Sequence, residues 1–137
     1  MPAPERGMSD YTIRNLAELE DHAPKFGIEN VEARFAAGDL GLQQLGLSYQ
    51  RLKPGTRHPF GHRHAEQEEV YVVVEGGGRV RLDDAIEEIR RWDAIRVAPG
   101  VTRAFEAGPE GIGVLAIGAH ALAPDDSGDM VADWWRD

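Results

Sequence analysis

The sequence contains no cysteine, which excludes a disulfide framework, a thiolate zinc site, an iron–sulfur cluster and a cysteine nucleophile. Lysine is nearly missing too, present only as Lys25 and Lys53. Lys53 stands next to Pro54 and Gly55 and reads as a turn residue, so Schiff-base chemistry is disfavoured. Positive charge is scarce overall: 15 Lys and Arg face 24 Asp and Glu, a formal charge of −9. That balance argues against nucleic acid, whose binding depends on cations neutralising phosphates. No apolar run approaches the roughly 18 residues of a membrane span. Residues 1–10 lack the basic-then-apolar pattern of an export signal. The expectation is a cytoplasmic protein with no membrane and no nucleic-acid partner. Nucleotide-dependent transfer and serine hydrolysis lose support as well, because no G-x-x-x-x-G-K-[ST], G-x-G-x-x-G or G-x-S-x-G pattern occurs.

What is present is a chain of 137 residues, the size of one domain, in which 16 Gly and 8 Pro fall between short apolar runs. Residues 1–7 are Pro-rich and read as disordered, with Met8 a candidate true start. Residues 9–20 hold a candidate short helix capped by Asn15. From Ile28 the period becomes two: Val31, Ala33 and Phe35 alternate with Glu32, Arg34 and Ala36. Further strands are read over 45–52, 68–74, 79–82, 85–91, 94–98, 101–107 and 112–117. The run 68–74 is apolar on both faces and reads as a central strand. Gly76-Gly77-Gly78, Asp83-Asp84 and Gly108-Pro109-Glu110-Gly111 are read as turns between strands. Arg79 and Arg81 alternate with Val80 and Leu82, as on a solvent-facing side. Many short strands without intervening helices indicate an all-β sandwich or barrel. The predicted organisation is an N-terminal arm over 1–25, a barrel over 26–120 and an acidic tail over 121–137. The tail's Trp134 and Trp135 are expected to pack on the barrel or on a partner subunit.

The chemistry concentrates in His58-Pro59-Phe60-Gly61-His62-Arg63-His64, followed by Glu68-Glu69. His58, Phe60, His62 and His64 share one parity, so an extended backbone places them on one face, with successive members about 7 Å apart. Two imidazoles at that spacing can reach one ion. Glu69, Tyr71 and Val73 share a face of the next strand, where a carboxylate is costly unless something positive meets it. Two neutral imidazoles and one carboxylate make a triad with open positions, suited to iron, manganese, nickel or zinc. His58 is a further candidate, as a replacement ligand or an acid–base group. His22 and His120 are isolated and carry no assigned role. Tyr49, Tyr71 and Phe105 are candidates to line a pocket, with core packing the preferred reading.

At these residues the sequence resembles the cupin superfamily. Its first motif is a Gly, then H-x-H, three or four residues, a Glu, six residues and a Gly. Here Gly55 leads to His62-Arg63-His64, then Glu69 and Gly76, with the first gap one residue longer than usual. The second motif reads G-D, apolar residues, P-x-G, two residues and a His. This chain has Trp92-Asp93, Ile95, Val97, Ala98-Pro99-Gly100, then Val101-Thr102 and Arg103. The resemblance spans about Leu45 to Gly118. It implies a double-stranded β-helix, the jelly-roll barrel of cupins, with the site inside and commonly a homodimer.

The departure is Arg103, which stands at the fourth ligand position and cannot bind a metal. Its parity with Val101 and Phe105 directs it where the ligand His would point. Two arrangements follow. In one, His62, His64 and Glu69 hold a divalent transition metal, while Arg103, with His58 and Tyr71, binds a small anionic molecule. In the other, no metal is held, Arg103 pairs with Glu69, and the barrel serves as a small-molecule binding or regulatory module.

Overall fold

The computed structural model describes residues 10–119, 129–132, 134 and 135. The readings made for residues 1–7 and for His120 lie outside these. Eight strands form one curled sheet: β1 (Val31–Phe35), β2 (Leu45–Leu52), β3 (Phe60–Arg63), β4 (Glu69–Leu82), β5 (Ala85–Arg90), β6 (Ala94–Val97), β7 (Arg103–Ala119) and β8 (Asp129–Ala132). One path runs β1-β2-β7-β3-β8, and β4 pairs with β5, β6 and β7, all antiparallel. The fold is the all-β, double-stranded β-helix expected. A single helical turn, α1 (Ala37–Leu40), lies between β1 and β2, closed by Gly41 in the left-handed region.

Alternation sets the inward face. Tyr71, Val73 and Val80 of β4 and Phe105, Ile112 and Val114 of β7 are almost wholly buried and form the centre of the core. Asp83-Asp84 is a two-residue hairpin turn, with Leu82 opposite Ala85 and Asp83 at φ +52. The Asp83 carboxylate accepts the Thr102 N–H at 3.0 Å, which ties the hairpin to the start of β7.

Two expected turns are strand interiors. Gly76-Gly77-Gly78 lies inside β4, and Gly108-Pro109-Glu110-Gly111 lies inside β7. In register, Gly76 faces Ile112 while Gly78 faces Ala107, so β7 carries the larger excursion between those pairs. The glycines serve close backbone approach: a Cβ on Gly76 would overlap Gly111 O and one on Gly78 would overlap Glu106 O. Long strands that bend through such irregularities can pass from one layer of a sandwich to the other.

Two local readings also change. The short helix expected after the Asn15 cap is a 3-10 turn, Leu16–Glu18, and Asn15 Oδ1 accepts from Ala17 N at 2.9 Å as that cap. Arg79 and Arg81 do not simply face solvent. Arg79 joins Arg57 on the Glu106 carboxylate, and Trp135 lies 4.7 Å from Arg57 and 5.9 Å from Arg79. Arg81 lies 4.3 Å from the Trp134 ring and donates to Trp134 O. Gly61 makes room for that ring, since a Cβ there would stand 2.7 Å from Trp134 Cγ and 2.9 Å from Thr102 Cγ2. The tail segment β8 pairs with β3, placing Met130 opposite His62.

Candidate metal centre

Three strands bring the site together. β3 carries His62, with His64 just beyond its end; β4 begins at Glu69 and continues to Tyr71; β7 begins at Arg103. Arg103 pairs in register with His62 across β3 and β7, and with Leu82 across β4 and β7. The loop after β3 is held by Gly100 N–H donating to His64 O at 2.7 Å. Gly118, in register with Glu69, leaves the space that the Glu69 side chain and Gln67 use.

His62 Nε2 and His64 Nε2 stand 3.2 Å apart, and His64 Nε2 is 3.8 Å from Glu69 Oε1. One ligand atom from each of the three residues lies within 4.8 Å of the others. Nitrogens bound to one ion at about 2.0–2.1 Å take separations close to that between the two imidazoles. Protonation also suits ligation. Burial first, then the charge of Arg103, pushes His62 down to about 4, so its ring is neutral at pH 7. The donor set therefore fits a divalent transition metal.

Arg103 pairs with Glu69 and does not line the cavity as an anion binder. It is 1% exposed, donates from Nη2 to Glu69 Oε1, from Nε to Tyr71 Oη at 3.0 Å and from Nη1 to Val101 O at 2.9 Å. Tyr71 Oη in turn donates to Glu69 Oε1 at 2.8 Å. Burial opposes the guanidinium's charge, yet Tyr71 and Glu69 outweigh it and hold Arg103 above its usual range. Burial, reinforced by Glu69, drives the Tyr71 phenol upward, so its proton stays in place as a donor. The result is a buried, hydrogen-bonded ion pair directly behind the imidazoles.

The cluster lines a cavity of about 650 Å³, a volume typical of sites for small organic ligands. Its walls are mainly apolar, including Phe26, Ile28, Val31, Phe35, Leu47 and Met130. Ser48, Gln50 and Gln67 join them and were not anticipated. Strand alternation over 45–52 already put Ser48 and Gln50 on one face, a polar inward pair that could have signalled them.

His58 also lines the cavity, but not as a spare ligand. Its backbone N–H donates to Phe105 O at 2.9 Å and its Nδ1 accepts the Phe105 N–H at 3.0 Å. Burial, with His62 nearby, pushes His58 down to about 4. The unfolded chain takes up this proton near 6.5 and the folded chain only near 4, so stability is full above that window and falls as pH drops through it. Replacing His58 by Asn, whose Oδ1 can still accept from Phe105, should flatten the loss by up to about 1.4 kcal/mol per pH unit. Urea midpoints at pH 7 and pH 5 measure it; an unchanged slope would show that His58 does not contribute.

An all-β barrel with a His–His–Glu group lining an apolar cavity is the architecture of a cupin. The chain belongs to the cupin family, whose cupin-domain description matches residues 48–117. It is similar to a cupin protein from Bacteroides fragilis, at 25% identity over 86% of this chain and 91% of that one, with a TM-score of 0.69. It is similar in fold to a variant oxalate decarboxylase from Bacillus subtilis, at 21% identity and a TM-score of 0.71, covering 90% of this chain but 34% of that one. It is likewise similar in fold to the polyketide cyclase RemF from Streptomyces resistomycificus, at 18% identity over 92% and 87% of the two chains, with a TM-score of 0.68. No curated protein matches the sequence. Among the described residues no helix is long and apolar enough to cross a membrane.

Proposed function

We propose that this cupin holds a divalent transition metal on His62, His64 and Glu69 and binds a small organic anion with an apolar body in the cavity above it. The observation that carries the reading is the 3.2 Å approach of the two Nε2 atoms beside Glu69 Oε1. The ligand class follows from charge. Arg103 already neutralises Glu69, so a bound dication retains its full charge inside mostly apolar walls. A carboxylate or enolate that meets the ion removes that penalty. The apolar walls would hold the rest of the molecule and keep water away. A metal at this position would supply Lewis acidity toward such an oxygen. His62 stays neutral for ligation, and Tyr71 keeps its proton and fixes the Glu69 carboxylate.

Elemental analysis of untagged protein, supplemented with metal and then desalted, tests this. The expected result is about one metal per chain in the wild type and almost none in His62→Ala or His64→Ala at unchanged circular dichroism. Wild-type content well below one metal per two chains rules the reading out.

One observation favours a second reading, a metal-free binding module. Glu69 Oε1 already accepts from both Arg103 and Tyr71, so the ion must compete with that pair. In that case the polar end of the cavity carries no net charge, and neutral ligands are preferred over anions.

A further inference from the structure

The pair of hydrogen bonds between His58 and Phe105 has a consequence for the ligand. The neutral ring must keep Nδ1 unprotonated to accept from the Phe105 N–H, which leaves the proton on Nε2. This bond favours one ring orientation, and the Phe105 ring packs edge-on against it at 5.8 Å and 78°. Protonating Nδ1 would set two N–H groups against each other. Among the described residues no acceptor meets Nε2, and the ring lines the cavity beside His62 and Phe60. Metal binding through Nε2 would move the proton to Nδ1 and break the Phe105 bond, so His58 stands apart from the ligating pair.

We infer that His58 is the specificity-determining donor of this cavity: its Nε2–H, fixed in one tautomer by the Phe105 backbone, orients a ligand that carries an oxygen acceptor on an apolar body. The inference deepens the proposed function by assigning how the organic anion is held, and it rests on that reading for the identity of the ligand class. The acceptor is a carboxylate or carbonyl oxygen, and the apolar remainder lies against Phe35, Leu47 and Ile28. A hydrogen bond to a charged acceptor in such surroundings is among the stronger ones.

The probes are 2-naphthoate, which has the acceptor, and naphthalene, which lacks it, titrated by fluorescence into wild type and His58→Asn. The substituted amide keeps an oxygen for the Phe105 N–H and loses the far-side donor. The expected result is a loss of roughly tenfold to a hundredfold in affinity for 2-naphthoate, with less than about twofold for naphthalene. Long-range ¹H–¹⁵N spectra should show His58 as the Nε2–H tautomer, with its Nε2 resonance moving on addition of 2-naphthoate. Equal losses for both probes, no loss for 2-naphthoate, failure of wild type to bind it, or an Nδ1–H tautomer would each overturn the inference. Both titrations are run on zinc-loaded and chelator-treated protein, with metal content measured in parallel. A zinc content near zero with the His58 effect intact sinks the metal reading alone. Loss of metal in His58→Asn sinks the donor assignment, because it would make His58 a ligand.

Discussion

Arg103→His should raise affinity for a divalent transition metal at least tenfold, measured by competition against a chromophoric chelator. Two effects act in one direction. The substitution removes a buried cation beside the His–His–Glu group, and it places a neutral imidazole in register with His62. A dication about 5 Å from a guanidinium is repelled by roughly 6–7 kcal/mol at an effective dielectric of 20. Glu69 screens part of this, yet a third of it, about 2 kcal/mol, already exceeds tenfold. The variant should also lose about 2–4 kcal/mol of folding stability, since Arg103 is the largest fully buried side chain and links Glu69, Tyr71 and Val101. Affinity that is unchanged or weaker in a folded variant would contradict this electrostatic account. If the wild type shows no measurable affinity while the variant does, the metal-free reading gains.

Gly78→Ala should destabilise the fold by about 3 kcal/mol or more, measured by urea denaturation. The added Cβ would overlap Glu106 O and lie 2.9 Å from Gly108 N. Both are backbone atoms of β7, so no side chain can swing away, and relief requires parting β4 from β7 at the bend. Gly38→Ala is the contrast: nothing lies within 4 Å of a Cβ there, and the residue sits in α1. That variant should be neutral or stabilised by up to about 1 kcal/mol. Similar effects at both positions would show that close approach is not what requires glycine at 78.

These two glycines also show what the sequence made legible. Period-two alternation located the strands, and the spacing from His62 through His64 and Glu69 to Gly76 pointed to the family and to a cluster of side chains that the fold brings together. Local glycine density, however, carries two meanings, a turn or a close approach, and only the partner strand distinguishes them. Gly76-Gly77-Gly78 therefore looked like a hairpin although β4 continues through it. The alternation of Arg79 and Arg81 points to a solvent-facing side for the same reason, because Trp135 and Trp134, which cover them, are distant in sequence. Trp92 is a third case. The family pattern has Gly there, and the backbone keeps the requirement, at φ +77, with a tryptophan bearing it. At the site, residue types and parity predicted that Arg103 and Glu69 would share a space. They could not decide between an anion and Glu69 as the guanidinium's partner, because that depends on Tyr71 Oη and Val101 O completing its donors.

The attachments of β3 have a mechanical consequence. Glu69 and Arg103 sit on β4 and β7, which are paired along most of their length, whereas β3 meets β7 at the single pair His62–Arg103 and meets β8 at four. The carboxylate side of the cluster is therefore carried by the two most extensively paired strands, and the imidazole side by a short strand with fewer pairings. An ion held there as proposed would meet differences in radius by a shift of the two rings toward or away from the Glu69 oxygen. Selectivity by size would be weak in such a mount, and the choice of ion would pass to the chemical softness of the donors and to supply.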